Sequence, residues 1–240
     1  MSERSPRRTA VLATPKPAMR TPAVSIRPTP VPLPDLTRAG IGVRVKSAAD
    51  RALAAVALIP AIPLMLLCGL LVRATSRGPA CYTQTRVGRG GRIFTLYKIR
   101  TMVHECESLT GPRWSMPGDP RITPIGRLLR HLHLDELPQL FNVLQGDMSL
   151  VGPRPHVPGM LAADLPYEDL VPYYFQRHTA RPGITGLAQV SGCRGSTAEF
   201  GPAISRIDYD LHYIEKWSLR MDVMIIIRTI RKEFLSGSGF

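Results

Sequence analysis

"ALAAVALIPAIPLMLLCGLLV", residues 52–72, decides the fold, because no charge interrupts it and Arg51 and Arg73 close its two ends. At about 1.5 Å of rise per residue, a helix of this length matches the roughly 30 Å hydrocarbon core of a bilayer. Pro60 and Pro63 stand at its middle, and each removes a backbone donor and favours a bend or break. Basic residues flank both ends, Lys46 and Arg51 before and Arg73 and Arg77 after, whereas a single span carries that bias on its cytoplasmic side only. Residues 46–78 are therefore expected to form a re-entrant membrane helix that enters the cytoplasmic leaflet, breaks at Pro60 and Pro63, and returns. A spanning helix and a soluble core helix are the alternatives.

Upstream, residues 1–45 are rich in Pro, Thr and Ser and lack apolar periodicity, which predicts a disordered basic tail. Residues 1–46 hold nine Lys/Arg against Glu3 and Asp35, so +7 of the chain's formal +13 lies there and the remainder is only mildly basic. Such charge calls for a polyanionic partner: nucleic acid, anionic lipid or a phosphorylated small molecule. Aromatic residues make up 6% of the chain, which leaves few stacking platforms and argues against nucleic acid. The 240 residues, 44% hydrophobic, suffice for one core. Cys68, Cys81, Cys106 and Cys193 are too scattered for a zinc site, and they fit a reduced, cytosol-facing protein. A catalytic domain is expected over 79–235, and a flexible C-terminus over 236–240.

Downstream of the anchor, "ACYTQTRVGRGGRIFTLYKIRTM" (80–102) has β-type segments on either side of the turn Gly88–Gly91, which predicts a hairpin. Alternation puts Phe94, Leu96, Lys98 and Arg100 on one face. The two cations form either a solvated edge or a phosphate clamp. Thr123 followed by Pro124 is a helix start, and Arg127 and Arg130 share a face of that helix leading to Asp135. Asp135, with Pro138 and the apolar "LFNVL" behind it, reads as the cap of a second helix. A helix start of this kind favours carboxylates and phosphates alike. Adjacent helical residues point about 100° apart, so Asp135 and Glu136 need not share one job. The C-terminal "RMDVMIIIRTIRKEF" is an amphipathic helix, either interfacial or packed on the core.

Five blocks in order resemble a known family over about Lys46 to Thr229: "SAADRALAAVALIPAIP", "YTQTRVGRGGRIFTLYKIRTM", "DPRITPIGRLLRHLHLDELPQLFNVLQGDMSLVGPRP", "RPGITGLAQVSG" and "YDLHYIEKWSLRMDVMIII". The family is that of the bacterial sugar transferases of the monotopic polyprenyl-phosphate hexose-1-phosphate type. The resemblance implies transfer of a sugar 1-phosphate from a nucleotide sugar, usually a UDP-sugar, to undecaprenyl phosphate, with release of UMP, at the start of exopolysaccharide or other surface glycan assembly. It implies that Asp135 is a nucleophile and Glu136 its acidic partner, both beside Mg²⁺. Lys98 and Arg130 match basic positions near the site, and Arg154 and Pro155 lie in the "VGPRP" signature of nucleotide and phosphate recognition. Arg100 and Arg181 are taken as further substrate-binding cations, and Pro63, with the additional Pro60, as the break of the re-entrant helix. The expected architecture is α+β: a mostly helical, membrane-associated domain with a small β-hairpin, on membrane lipid at the cytoplasmic face of the bacterial inner membrane. The alternative is a non-catalytic basic adaptor bound to the membrane surface. Neither the sugar nor the oligomeric state follows from the sequence.

Overall fold

The computed structural model describes residues 40–104, 106, 118–193 and 199–235. The expected tail, apart from residues 40–45, and the expected C-terminus over 236–240 lie outside the described residues. The architecture is α+β, with a long apolar N-terminal helix, a hairpin and a set of shorter helices.

Helix α1 runs from Ile41 to Thr75, 35 residues with Pro60 and Pro63 inside it. It starts ahead of the expected boundary at 46, so residues 41–45 belong to the helix rather than to the tail. The expected break is also corrected, because the helix is unbroken through both prolines. Both rings are exposed, and the carbonyls they leave without a helical partner belong to Val56 and Ile59, which are exposed as well. One stripe holds the helix in place instead. Asp50, Ala54, Leu58, Ala61, Cys68 and Val72 are buried at heptad-like spacing along nearly its whole length. Ala54, Leu58 and Ala61 pack with Leu96, Leu140, Val143 and Met148, and Cys68 and Val72 pack with Ile99 and Leu129. The opposite side is apolar and bare: Ile59 is 73% exposed and Leu66 65%.

Both ends of α1 are tied down by polar contacts. At its start, Lys46 Nζ lies 2.8 Å from Asp222 Oδ2, and Ser149 Oγ donates to Asp50 at 2.6 Å. At its end, Arg100 is buried and gives its guanidinium to backbone: Nε to Pro79 O at 2.7 Å and Nη2 to Ser76 O at 3.1 Å and Ser76 Oγ at 3.0 Å. Arg100 is thus a clasp on the exit of α1, its donors turned to the backbone there rather than to the acidic cluster. One donor satisfies the carbonyl of Ser76, the residue that caps the helix end, and another holds the loop at Pro79. Arg100→Ala is expected to cost about 1–3 kcal/mol, because it removes a buried, charged donor that several hydrogen bonds share. Denaturant unfolding would show this as a lower midpoint.

Strands β1 (Cys81–Val87) and β2 (Ile93–Ile99) form the expected antiparallel hairpin, in register Tyr82↔Lys98 to Val87↔Ile93. Its turn needs Gly90 and Gly91, whose φ values are 65° and 76°. Helix α2 (Pro124–His131) begins as expected, with Thr123 Oγ1 accepting from Gly126 N at 3.0 Å. Thr101, just past β2, seats this helix. Its carbonyl accepts from Thr123 N at 3.0 Å, and its hydroxyl accepts from Arg130 Nε at 2.8 Å. The approach is so close that a Cβ on Gly126 would run into that carbonyl.

Helix α3 (Gln139–Gln145) packs on β2, and β3 (Ser149–Val151) pairs in parallel with β4 (Gly183–Thr185). Helices α4 (Phe200–Glu215) and α5 (Leu219–Leu235) complete the domain. Along α5, Asp222 and Ile225 are buried while Val223, Met224, Ile227 and Ile230 are exposed. This helix therefore packs on the core on one side and shows an apolar surface on the other.

Candidate active site

Asp135 and Glu136 sit in a single 3-10 turn, Leu134–Glu136, between α2 and α3. The residue at the start of α3 is Pro138, and no side chain caps it, so the expected capping role of Asp135 is corrected. His133 enters the turn with a left-handed φ of 53°, an uncommon conformation for a residue with a side chain. It reverses the chain so that the two carboxylates face β2.

Asn142 sets the distance across that gap. It is fully buried on α3, accepts from Tyr97 N at 3.1 Å and donates to Thr95 O at 2.7 Å, gripping β2 on both sides of Leu96. Lys98, one residue beyond Tyr97, thereby brings Nζ to 2.8 Å from Glu136 Oε1. From the other side, Arg154 Nη2 reaches the same oxygen at 2.7 Å, with Nη1 3.4 Å from Oε2. Arg130 lies close enough to Asp135 for that carboxylate to favour its charge against the opposing effect of burial. Asp135, Glu136, Lys98, Arg130 and Arg154 therefore form one cluster.

The two acids differ sharply within this cluster. Glu136 is penalised by burial, yet Arg154 and Lys98 outweigh that and hold its carboxyl well below the usual range. Asp135 is 6% exposed, and burial pushes its carboxyl up, against the attraction of Lys98. Among the described residues, none donates a hydrogen bond to it. The result is one carboxylate locked between two cations and, beside it, one left desolvated and untied. A desolvated carboxylate surrounded by positive charge is suited to attack on an anionic phosphorus centre.

The described residues contain no group of three or more His, Cys, Asp or Glu side chains converging on one point. A closed protein cage for Mg²⁺ is therefore not built among them. Asp135 and the more weakly paired Oε2 of Glu136 do fit the other common arrangement, in which one or two carboxylates share the ion with substrate phosphates.

Arg181 is not part of the cluster. Its Nη1 donates to Ser47 Oγ at 2.7 Å, tying the loop before β4 to α1. Pro155 does lie beside Arg154, where it stiffens the loop. Arg177 and Asp210 were not anticipated. They form a buried pair, Nη2 to Oδ2 at 2.7 Å, directly behind Arg154, and their separation of 33 residues gives no local pattern by which to find them.

Two buried acids set among Lys98, Arg130 and Arg154 on an α+β scaffold with a long apolar helix form a site whose charge suits anionic groups. The chain belongs to the bacterial sugar transferase family, whose pattern matches residues 41–236. It is 46% identical over 184 residues to the exopolysaccharide production protein PSS of Rhizobium leguminosarum bv. phaseoli, covering 77% of this chain and 92% of that one. It is 45% identical over 205 residues to the UDP-glucose:undecaprenyl-phosphate glucose-1-phosphate transferase of Xanthomonas campestris pv. campestris, covering 83% of this chain and 42% of that one. The UDP-N-acetylgalactosamine-undecaprenyl-phosphate N-acetylgalactosaminephosphotransferase of Aeromonas hydrophila is 43% identical over 188 residues, covering 78% and 43%. The chain thus spans most of the first relative and less than half of the other two.

Proposed function

We propose that the chain is a phosphoglycosyl transferase that moves a sugar 1-phosphate from a UDP-sugar to undecaprenyl phosphate and so begins assembly of an exopolysaccharide. The observation that carries this reading is the contrast within the dyad: Asp135 is buried and untied, while Glu136 is paired with both Lys98 and Arg154 through Oε1. The names of the relatives support the same chemistry.

In the first step, Asp135 attacks the phosphorus that bears the sugar. The bond from that phosphorus to the bridging oxygen breaks, UMP leaves with the oxygen, and the sugar phosphate stays on the aspartyl oxygen. In the second step, an oxygen of undecaprenyl phosphate attacks the same phosphorus and the carboxylate is released. Arg154 and Lys98 neutralise the phosphoryl oxygens, Arg154 with two donors, and Glu136 holds both cations in place. Arg130 supports the charged form of Asp135. A Mg²⁺ held by Asp135, Glu136 and the diphosphate would supply further charge neutralisation.

The lipid acceptor requires the site to lie at a membrane, and α1 suits it. Its two ends are held by the same domain, through Lys46 with Asp222 and through Ser76 with Arg100, which supports both ends lying on one side. We place α1 within the cytoplasmic leaflet, its bare apolar side in hydrocarbon, with the exposed apolar side chains of α5 alongside.

The test uses purified full-length protein in lipid nanodiscs with a panel of UDP-sugars and Mg²⁺. With one of them, a burst of at most about one UMP per site is expected without undecaprenyl phosphate, followed by steady turnover once it is added. No UMP from any UDP-sugar in the presence of acceptor would refute the activity.

A further inference from the structure

Four consecutive carbonyls in the Pro153–His156 loop are each taken by a donor from elsewhere in the chain. Gly183 N reaches Pro153 O at 2.9 Å, Arg177 Nη2 reaches Arg154 O at 2.6 Å, Arg86 Nη1 reaches Pro155 O at 3.0 Å, and Val87 N reaches His156 O at 2.9 Å. Pro153 and Pro155 have fixed φ and no N–H, so the freedom left to this loop is largely the rotation that swings its carbonyls. Holding the carbonyls therefore holds the loop, and with it the origin of the Arg154 side chain. Two of the four donors are side chains, and both are arginines.

The grip on Arg154 itself is the more deeply set of the two. The side chain of Arg177 is 1% exposed and that of Asp210 2%, and Asp210 Oδ2 accepts from Arg177 Nε at 3.0 Å and Nη2 at 2.7 Å. The ring of Tyr174 lies 5.7 Å from the guanidinium carbon. A buried ion pair is a weak source of net stability, because desolvation offsets most of the attraction. Its geometric effect here is specific: Asp210 fixes one edge of the guanidinium, so that Nη2 is aimed at a single backbone oxygen. Arg154 in turn must meet Glu136 and the substrate phosphates, and a misplacement of about 1 Å in such a group costs on the order of 100-fold in rate.

We infer that Arg177, oriented by Asp210, is a positioning residue for Arg154, and that Arg86 supports the same loop from the hairpin. The inference rests on the phosphoglycosyl transfer reading for what Arg154 contacts. A lysine at 177 keeps the charge for Asp210 but presents one ammonium in place of a fork, so it cannot hold both partners in the same way.

A double-mutant cycle on the full-length protein in nanodiscs tests this, with the panel of UDP-sugars and undecaprenyl phosphate as substrates and, separately, UDP alone as a binding probe. Arg177→Lys is expected to lower kcat/KM by about 30-fold in the native background but less than about 3-fold in Arg154→Ala, as for residues coupled in one network. UDP affinity should show the same dependence on background. Arg86→Gln, at a less buried position, should repeat the pattern with a loss of about 5-fold. Equal losses in both backgrounds would mean a general structural role and overturn the inference, as would native-like kcat/KM and UDP affinity in Arg177→Lys. A wild type that binds UDP but transfers no sugar refutes the transfer reading alone, and the UDP cycle still decides the positioning role.

Discussion

Asp135→Asn is expected to abolish turnover and, at neutral pH, to make the protein more stable. The loss follows from chemistry: an amide is a poor nucleophile towards phosphorus, and removing a nucleophile typically costs on the order of 10⁴-fold or more in kcat. The gain follows from linkage. Burial raises the pKa of Asp135 in the folded protein, so the folded state holds that proton more tightly than the unfolded chain does. Stability therefore falls as pH rises from the unfolded carboxylate value, about 3.9, through the raised folded value, and above that the full penalty stands. Asparagine carries no charge and escapes the penalty. Unfolding midpoints at neutral pH should thus be higher for Asp135→Asn than for wild type, with the difference shrinking towards pH ~4. An activity above about 1% of wild type would remove Asp135 as the nucleophile. A lower midpoint at neutral pH would contradict the desolvation account. The same raised pKa places the acid limb of the pH–rate profile above that of an ordinary aspartate.

Glu136 has the opposite sign, although it is the next residue. Its carboxyl is held well below the usual range by Arg154 and Lys98, so the stability it contributes is present above the unfolded value and is lost as pH falls through the lowered folded one. The fold thus gives one carboxylate to structure and leaves the other to chemistry. Both acids lie among the same cations, but only Glu136 takes hydrogen bonds from Lys98 and Arg154, while burial dominates at Asp135.

Much of this site was legible in the chain because its parts are local. The hairpin follows from two β-type runs around glycines and α2 from Thr123 and Pro124, whereas the roles of Asp135, Glu136 and Arg154 come from the family resemblance. Where the structure departs from the local reading, the shared cause is that tertiary contacts override local preference. Pro60 and Pro63 predict a break, but the stripe from Asp50 to Val72 is packed against the domain on both sides of them, and continuous burial keeps the helix whole. Arg100 shares a strand parity with Lys98, but the strand ends at Ile99, and the next side chain turns to the backbone just past α1, at Ser76 and Pro79. Arg181 lies in a recognisable block, yet Ser47, 134 residues away, takes its guanidinium. Asp135 resembles a helix cap only if the helix starts at once, whereas the chain makes a 3-10 turn first and the helix begins after Pro138.

Removing Arg154 should be the next most damaging change. Arg154→Ala is expected to lower kcat/KM by about 10² to 10³-fold, the usual cost of deleting one preorganised donor to a developing oxyanion. Arg154→Lys should recover only part of this, because an ammonium cannot offer two parallel donors. Recovery of the membrane fraction should be unchanged, since α1 and its contacts lie elsewhere. The loss is not the whole effect, because Glu136 keeps Lys98 as a partner when Arg154 is gone. In Lys98→Ala with Arg154→Ala, the carboxylate of Glu136, 17% exposed, loses both cations, and an uncompensated buried charge costs about 3–5 kcal/mol. That double variant should therefore be markedly less stable than either single one. Adding Glu136→Gln removes the charge and should restore most of the stability but none of the activity. If instead the triple variant regained turnover, the two cations would be serving Glu136 rather than the phosphates. If Arg154→Ala alone turned over as fast as wild type, the phosphate contacts would have to be sought among Lys98 and Arg130.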